Sequence, residues 1–330
     1  MKLFNMDLHI SVIADFKNIF PEFDITDWCL SGHHWVFGKE HTSPKHINAS
    51  TWQNIDSDMI TKFQNEYDDF LKQFDGFICG HPNGFIPIFE KYGKPIIMIN
   101  SCRYDLPFCW SKKYNMLQSY KDCLTRLNKK GLLIAVSNNK ADQEYTRLGC
   151  GIKTTHIPSL CAYTGIKYAP TRNTFLGWGN SPQHPLITPK SHLGNPYKWS
   201  DISNFKGIIV IPYEISTMSM FEFFSGGMPL FFPSKKLFIQ NNYKLQSVSA
   251  YWGSDLPAEV KVFSDRNKWL DLADFYHVFK SPNVYVYESM EHLIQLMNEF
   301  KWKDDKKILD NYKSNIRNTW LTLLKPVFDL

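Results

Sequence analysis

Two glutamates, Glu214 and Glu222, enclose a short run of small polar residues that contains Ser216, Thr217 and Ser219, with Met218 among them. Carboxylates accept hydrogen bonds from hydroxyl groups, and Ser or Thr at a helix start satisfies its first backbone N–H groups. The remaining free N–H groups of such a turn suit a phosphate. Glu222 lies close to Met220, Phe221, Phe223 and Phe224. Burying a carboxylate beside such a ridge is costly unless it meets a hydroxyl or a cation. The residue types therefore suit a phosphate or a hydroxyl-rich ligand. On the alternative reading, Glu222 faces solvent and Glu214 only favours the helix dipole.

The elements that must position these residues are compressed into 206–233. Residues 207–211 predict a strand that is apolar on both faces, as in the interior of a parallel sheet. Pro212 ends it, a helix follows, Gly226-Gly227 stops that helix, and 228–232 predicts a second buried strand closed by Pro233. This is one β-α-β unit. Its polar residues gather where a strand's C-terminal end meets a helix's N-terminal end, the edge at which open α/β sheets bind ligands.

Upstream, strands are predicted at 8–13, 25–30, 76–79, 95–99, 132–136 and near 153–157, with helices between them, including 57–72, 114–128 and 140–148. The predicted strand ends run into polar or Gly/Pro clusters at 31–34, 80–84, 100–105 and 137–139, which the same rule places along one crevice. Gly32, His33 and His34 form the first cluster, and a neutral imidazole there can take a proton from an acceptor hydroxyl. His33 is favoured because it follows Gly32 directly. His81 ends another strand. Arg103 offers a fork for phosphate or carboxylate, unless it pairs with Asp105. Residues 157–170 read as a linker and 173–177 as the first strand of a second sheet, with loop over 179–200. Helices are predicted at 235–241, 264–276 and 291–300, a strand at 283–287, and a long amphipathic helix within 304–330.

The pattern Glu214-x7-Glu222, set between two buried strands in the wording Ile-Pro-Tyr-Glu-Ile-Ser-Thr-Met-Ser-Met-Phe-Glu and Pro-Leu-Phe-Phe-Pro-Ser, resembles the donor-binding motif of GT-B glycosyltransferases. It is similar to a group that includes enzymes of large DNA viruses. The resemblance implies two Rossmann-like parallel-sheet domains facing each other across a cleft. It implies an N-terminal acceptor-side domain over 1–160 and a nucleotide-sugar-binding domain over 171–303. The last helix, 304–330, would then cross back to the first domain. In such enzymes the first Glu lies by the sugar hydroxyls, the helix N-terminus meets the diphosphate and the second Glu holds the ribose diol. The family carries glycine where this chain has Ile215.

Composition bounds the remaining choices. The chain has 330 residues, enough for two domains, and 15% of them are aromatic, so its cores are rich in Phe and Tyr. No uninterrupted apolar stretch is long enough for a transmembrane helix, and the N-terminus lacks a signal-peptide pattern. The net charge of +5 is spread without a basic stripe, so nucleic acid is not the expected partner. Seven cysteines, odd in number and without C-x-x-C, point to a reducing, cytoplasmic setting rather than to disulfides or zinc. The pairs Asp68-Asp69 and Asp304-Asp305 lie in lysine-containing helical stretches, so no metal site is expected. Lys190, Lys198, Lys235 and Arg172 are then the candidates for meeting diphosphate charge.

The expected activity is metal-independent transfer of a sugar from a nucleoside-diphosphate sugar, acting as co-substrate, to a hydroxyl of a glycan or glycoconjugate. No other cofactor is expected. A sugar-nucleotide epimerase or hydrolase, and a non-catalytic sugar-binding protein, are the alternatives.

Overall fold

A computed structural model of the chain describes residues 1–109, 114–194, 196–215, 217–241, 243 and 270–328. They form two compact units: residues 1–158 with 319–328, and residues 159–243 with 270–318.

The first unit is built on six parallel strands: β1 (Lys2–Asp7), β2 (Asp24–Cys29), β3 (Gly76–Cys79), β4 (Ile96–Asn100), β5 (Leu133–Ser137) and β6 (Thr155–His156). Their spatial order is β2-β1-β3-β4-β5-β6. Every residue of β3 and β4 is buried, as expected for strands covered on both faces. Helices α1 (Ile10–Ile19), α2 (Ser57–Leu71), α3 (Ile86–Phe89), α4 (Tyr114–Lys129) and α5 (Lys140–Cys150) supply that cover.

One early expectation is corrected. The run 8–13 is not a strand: β1 ends at Asp7 and the chain is helical from Ile10. Ile10, Ile13 and Phe16 recur at helical spacing and are buried together, and this period outweighs the β-branched composition of the run.

The second unit carries five parallel strands: β7 (Phe175–Trp178), β8 (Ile187–Pro189), β9 (Ile208–Val210), β10 (Leu230–Pro233) and β11 (Val284–Tyr287). Their order is β11-β10-β9-β7-β8. Helices α6 (Trp199–Ser203), α7 (Met218–Ser225), α8 (Lys235–Gln240), α9 (Met290–Glu299) and α10 (Lys306–Leu324) complete the described elements. The core gathers Phe175, Ile187, Ile209, Phe231, Leu293 and Met297. Residues 206–233 form the β-α-β unit read from sequence, and Gly227 stops α7 with φ +72°.

Two further readings change. The stretch 179–200 holds β8, a 3-10 turn at Lys190–Leu193 and the start of α6. Ile187 is buried there and joins the sheet through Phe175, an anchor that the surrounding Pro and Ser residues conceal. Of the predicted helix 264–276, residues 264–269 lie outside the described residues, and Asp274–Tyr276 is one 3-10 turn.

The segment read as a linker also packs on the second unit. Ser225 Oγ donates to Leu160 O, and Tyr168 N donates to Gly226 O at 3.1 Å. Helix α10 contributes to both units. Tyr312 packs edge-on against Phe224 at 5.3 Å in the second, and Trp320 against Phe16 at 5.3 Å in the first.

Strand order decides which loops can bind. In the first unit the order reverses between β1 and β3; in the second it reverses between β7 and β9. Loops diverge at such points and leave a crevice at the strands' C-terminal ends.

Candidate functional site

In the second unit the reversal brings together the end of β7, the turn after β9 and the start of α7. Glu222, in the second turn of α7, is 6% exposed. One carboxylate oxygen accepts the hydroxyl of Tyr163, from the segment that packs beneath the helix. This partner is what makes the buried position tolerable. Glu214 lies beyond β9, and its Oε1 accepts from Ile215 N at 2.8 Å. Thr217 is the residue before α7, yet its hydroxyl does not cap the helix: it donates back to Glu214 O at 2.9 Å and tightens the turn. Met218 Sδ accepts from Ser159 Oγ at 3.4 Å. Ser219 is half-buried in the first turn, and Ser216 lies outside the described residues.

The structure ranks the candidate cations. Lys190 stands 3.7 Å from the centre of the Trp178 ring and 5.2 Å from that of Tyr197. Partial burial lowers the pKa of its ammonium, and Glu222 pulls it back up. Partial burial and then Glu222 hold the Tyr197 hydroxyl above its ordinary value. Lysine, two aromatic rings and a glutamate therefore share one electrostatic neighbourhood at the edge that carries the motif. Lys235 is paired with Asp271 at 3.0 Å, and Arg172 lies over Phe205 at 4.6 Å. Lys198 is the residue before α6, and its backbone N–H donates to Asp201 at 2.9 Å.

In the first unit the reversal between β1 and β3 sets His9 against His81, with ring centres 6.0 Å apart. His9 is exposed, and His81 is half-buried. Leu8 N donates to His81 O at 2.7 Å and ties the two strand ends together. Burial, and then His9, push the His81 imidazole down to about 3. His9 is also shifted below its ordinary value, first by protein packed around the ring although the residue keeps exposed surface, and then by His33. His81 is therefore neutral at pH 7, and the direction of the His9 shift favours its neutral form. The side chain beneath them, Asp7, is 2% exposed and accepts from His9 N. Burial raises its carboxyl well above the usual carboxylate range.

The cluster 31–34 stands beside this pair. His33 and Gly32 are exposed, and His33 is close enough to His9 to shift its titration. His33 N donates to Ser31 Oγ at 3.1 Å, while His34 Nδ1 lies 3.2 Å from Ser31 O and its ring 5.4 Å from that of His41. Trp35, next in the chain, is 54% exposed.

The ends of β4 and β5 do not join them. Arg103 and Asp105 are each fully buried, and the guanidinium donates to both Asp105 oxygens at 3.0 and 2.9 Å. Tyr145 Oη also donates to Asp105 at 2.9 Å, and Arg103 N donates to Asp142 at 2.9 Å. Asn100, Asn138 and Asn139 are at most 3% exposed. The clusters 100–105 and 137–139 therefore face inward. Arg103 is a scaffold residue whose fork is already taken, and neither it nor Asp105 is open to a ligand. The misreading has a physical cause. A polar cluster at a strand end is equally suited to line a crevice or to close on itself, and the sequence alone does not separate the two.

His9 and Asp7 were not among the candidates read from sequence, because a first strand placed at 8–13 does not end at Asp7 and puts His9 inside the strand instead of after its end. Trp178, Tyr163 and Tyr197 were overlooked because they are remote in sequence from the motif. Among the described residues, no group of His, Cys, Asp or Glu has a metal-binding arrangement, and no helix is long and apolar enough to cross a membrane. All seven cysteines are free thiols.

No protein-family model matches the chain, and no curated protein matches it. Glycosyltransferases are among the solved structures that resemble it. Spinosyn forosaminyltransferase SpnP is 9% identical, with a TM-score of 0.46, over 97% of this chain and 94% of its own. The glycosyltransferase of kitacinnamycin is 11% identical, with a TM-score of 0.40, over 98% and 95%. SnogD from Streptomyces nogalater is 8% identical, with a TM-score of 0.38, over 96% and 94%. Likeness at this level transfers no residue role, so the chemistry rests on the side chains themselves.

Proposed function

We propose that the protein is a glycosyltransferase that moves a sugar from a nucleoside-diphosphate sugar to a hydroxyl of a glycan or glycoconjugate. The observation that carries the reading is the buried Glu222, held by Tyr163 beside Lys190 and Trp178 at the strand-order reversal of the second unit. A carboxylate one turn and more into α7 suits a ribose diol. Lys190 and the first N–H groups of α7 suit the diphosphate, and the Trp178 and Tyr197 rings offer flat surfaces to the rest of the nucleotide. Glu214, at the start of the same turn, suits the sugar hydroxyls.

The first unit holds the acceptor in this reading. An imidazole, His33 or His34 as read from sequence or His9 as the structure adds, takes the proton of the acceptor hydroxyl. The acceptor oxygen bonds to the anomeric carbon and the sugar–phosphate bond breaks. The negative charge that develops on the leaving diphosphate is met by Lys190 and the α7 amides, with no metal ion required.

Calorimetry with nucleoside diphosphates tests the donor side. Glu222→Ala is expected to weaken binding by about 1–3 kcal/mol, the range for losing a charged hydrogen-bond partner. Unchanged affinity would remove Glu222 from the site. A turnover assay with EDTA present completes the test: activity lost to EDTA and restored by magnesium or manganese would overturn the metal-independent reading. Turnover of donor without acceptor would mark an epimerase or hydrolase instead.

A further inference from the structure

A cavity of about 450 Å3 lies in the second unit at the far end of α7. Helix α7 leaves the motif edge at Met218 and ends at Gly226-Gly227, so this cavity opens at the opposite edge of the sheet. Its walls are the segment 162–168, the glycine turn, and the chain that leads into α10. A volume of this size is within the range that holds a small ligand.

The lining has three properties that select a ligand. The first is an aromatic platform. Trp302 is 47% exposed and stacked on Tyr168, with ring centres 6.0 Å apart and planes 27° apart. Tyr168 is itself fixed, its hydroxyl donating to Lys206 O at 2.9 Å. The second is charge balance: Lys167, Lys306 and Lys313 are matched by Asp304, Asp305 and Asp310. The third is that the start of α10 is already served. Lys306 N donates to Asp304 Oδ1 at 3.0 Å, and Ile308 N and Leu309 N donate to Asp305 O at 2.9 and 3.0 Å. An anion would find these amides occupied and carboxylates beside them, which disfavours phosphate.

A neutral ring that bears hydroxyls meets all three conditions. Its C–H face packs on an indole, while its hydroxyls donate to the exposed carboxylates of Asp304 and Asp310 and accept from the ammonium groups; Asp305 is buried and already accepts from Ser281 Oγ. We infer that this cavity is a second saccharide site that binds a short neutral oligosaccharide, separate from the edge that carries Glu214 and Glu222. The inference does not depend on the donor assignment.

The test is retention of the whole protein on an array of immobilised neutral oligosaccharides of the gluco, manno, galacto and chito series. Wild-type protein is expected to bind at least one series. Trp302→Ala is expected to weaken that binding by roughly tenfold, the loss of one aromatic platform. Trp302→Phe, which keeps a ring, is expected to recover part of it, and Glu222→Ala to bind as wild type does. Trp302 is exposed, so both substitutions at that position should leave the melting temperature unchanged. Wild-type protein that binds none of the series would overturn the proposal. Binding that is insensitive to Trp302→Ala would do the same. Loss in Glu222→Ala alone would place the saccharide at the motif edge and overturn it as well. Failure of the donor reading appears instead in nucleotide calorimetry, which Trp302→Ala should not affect.

Discussion

At the scale of single residues, the proposed chemistry divides between a cation and an imidazole. Among the described residues, Lys190 is the one candidate cation placed beside Glu222, and its ammonium is held against two aromatic rings rather than against a carboxylate at contact distance. Lys190→Ala is expected to weaken a nucleoside diphosphate by about 1–3 kcal/mol and to leave the bare nucleoside nearly unaffected. Equal losses for both ligands, measured by calorimetry, would mean that Lys190 does not meet the phosphates. Among the imidazoles, the proposed proton acceptor is the one whose removal is expected to lower kcat by roughly 10²–10⁴ while donor affinity stays intact. His9→Ala, His33→Ala and His34→Ala separate the candidates in one kinetic series. A change confined to acceptor KM would mean positioning only, with the donor's own phosphate taking the proton in retaining chemistry. Wild-type kinetics in all three would remove this edge of the first unit from catalysis.

At the scale of elements, the close approach of β3 to β1 matters most. Gly80 follows β3, and a Cβ there would stand 2.5 Å from Asp7 Oδ2 and 2.8 Å from Val12 Cγ1. The contact is with a buried carboxyl and a buried β-branched side chain of α1, which are 2% and 4% exposed. Gly80→Ala is therefore expected to cost about 1–3 kcal/mol, the usual range for overpacking, and to shift His81 with the strand end. Gly32 has nothing within 4 Å of the same added atom, so Gly32→Ala should leave stability nearly unchanged. Urea unfolding of the two variants makes the comparison, and equal midpoints would refute the close approach. Helix α7 shows the same economy of space. Phe223 meets Trp178 edge-on at 4.9 Å, so the helix that carries Glu222 also fixes the ring under Lys190.

At the scale of the whole molecule, the His81 environment links folding to pH. Its ordinary value of 6.5 falls to about 3 in the folded protein. The unfolded chain then binds more protons between these values, so stability rises with pH there. The contribution is present above 6.5 and is lost as pH falls towards 3. Asp7 acts in the opposite sense: its raised carboxyl favours the folded state at low pH, and that contribution fades as pH rises above the usual carboxylate value. His81→Gln removes the first effect and keeps the second. Wild-type protein is thus expected to lose more stability than His81→Gln between about pH 7 and about pH 4. Urea midpoints that fall in parallel would show that His81 is not held neutral by the fold.

The β-α-β unit at 206–233 was legible because its signals are local. Uninterrupted apolar runs closed by Pro212 and Pro233, and a Gly-Gly stop, specify strand, helix and strand without reference to any distant residue. The alternation of strand and helix, and with it a parallel α/β architecture in two units, follows from the same kind of signal. Strand order does not. Periodicity records which face of an element is apolar, and it is silent on which strands become neighbours. The reversals between β1 and β3 and between β7 and β9 exist only in the folded sheets. They decide that His9 meets His81, and that Trp178, Lys190 and Tyr197 gather around Glu222. The same limit explains Arg103 and Asp105. Their residue types suit a ligand as well as they suit each other, and only packing around β4 and β5, which leaves both fully buried, determines which partner they take.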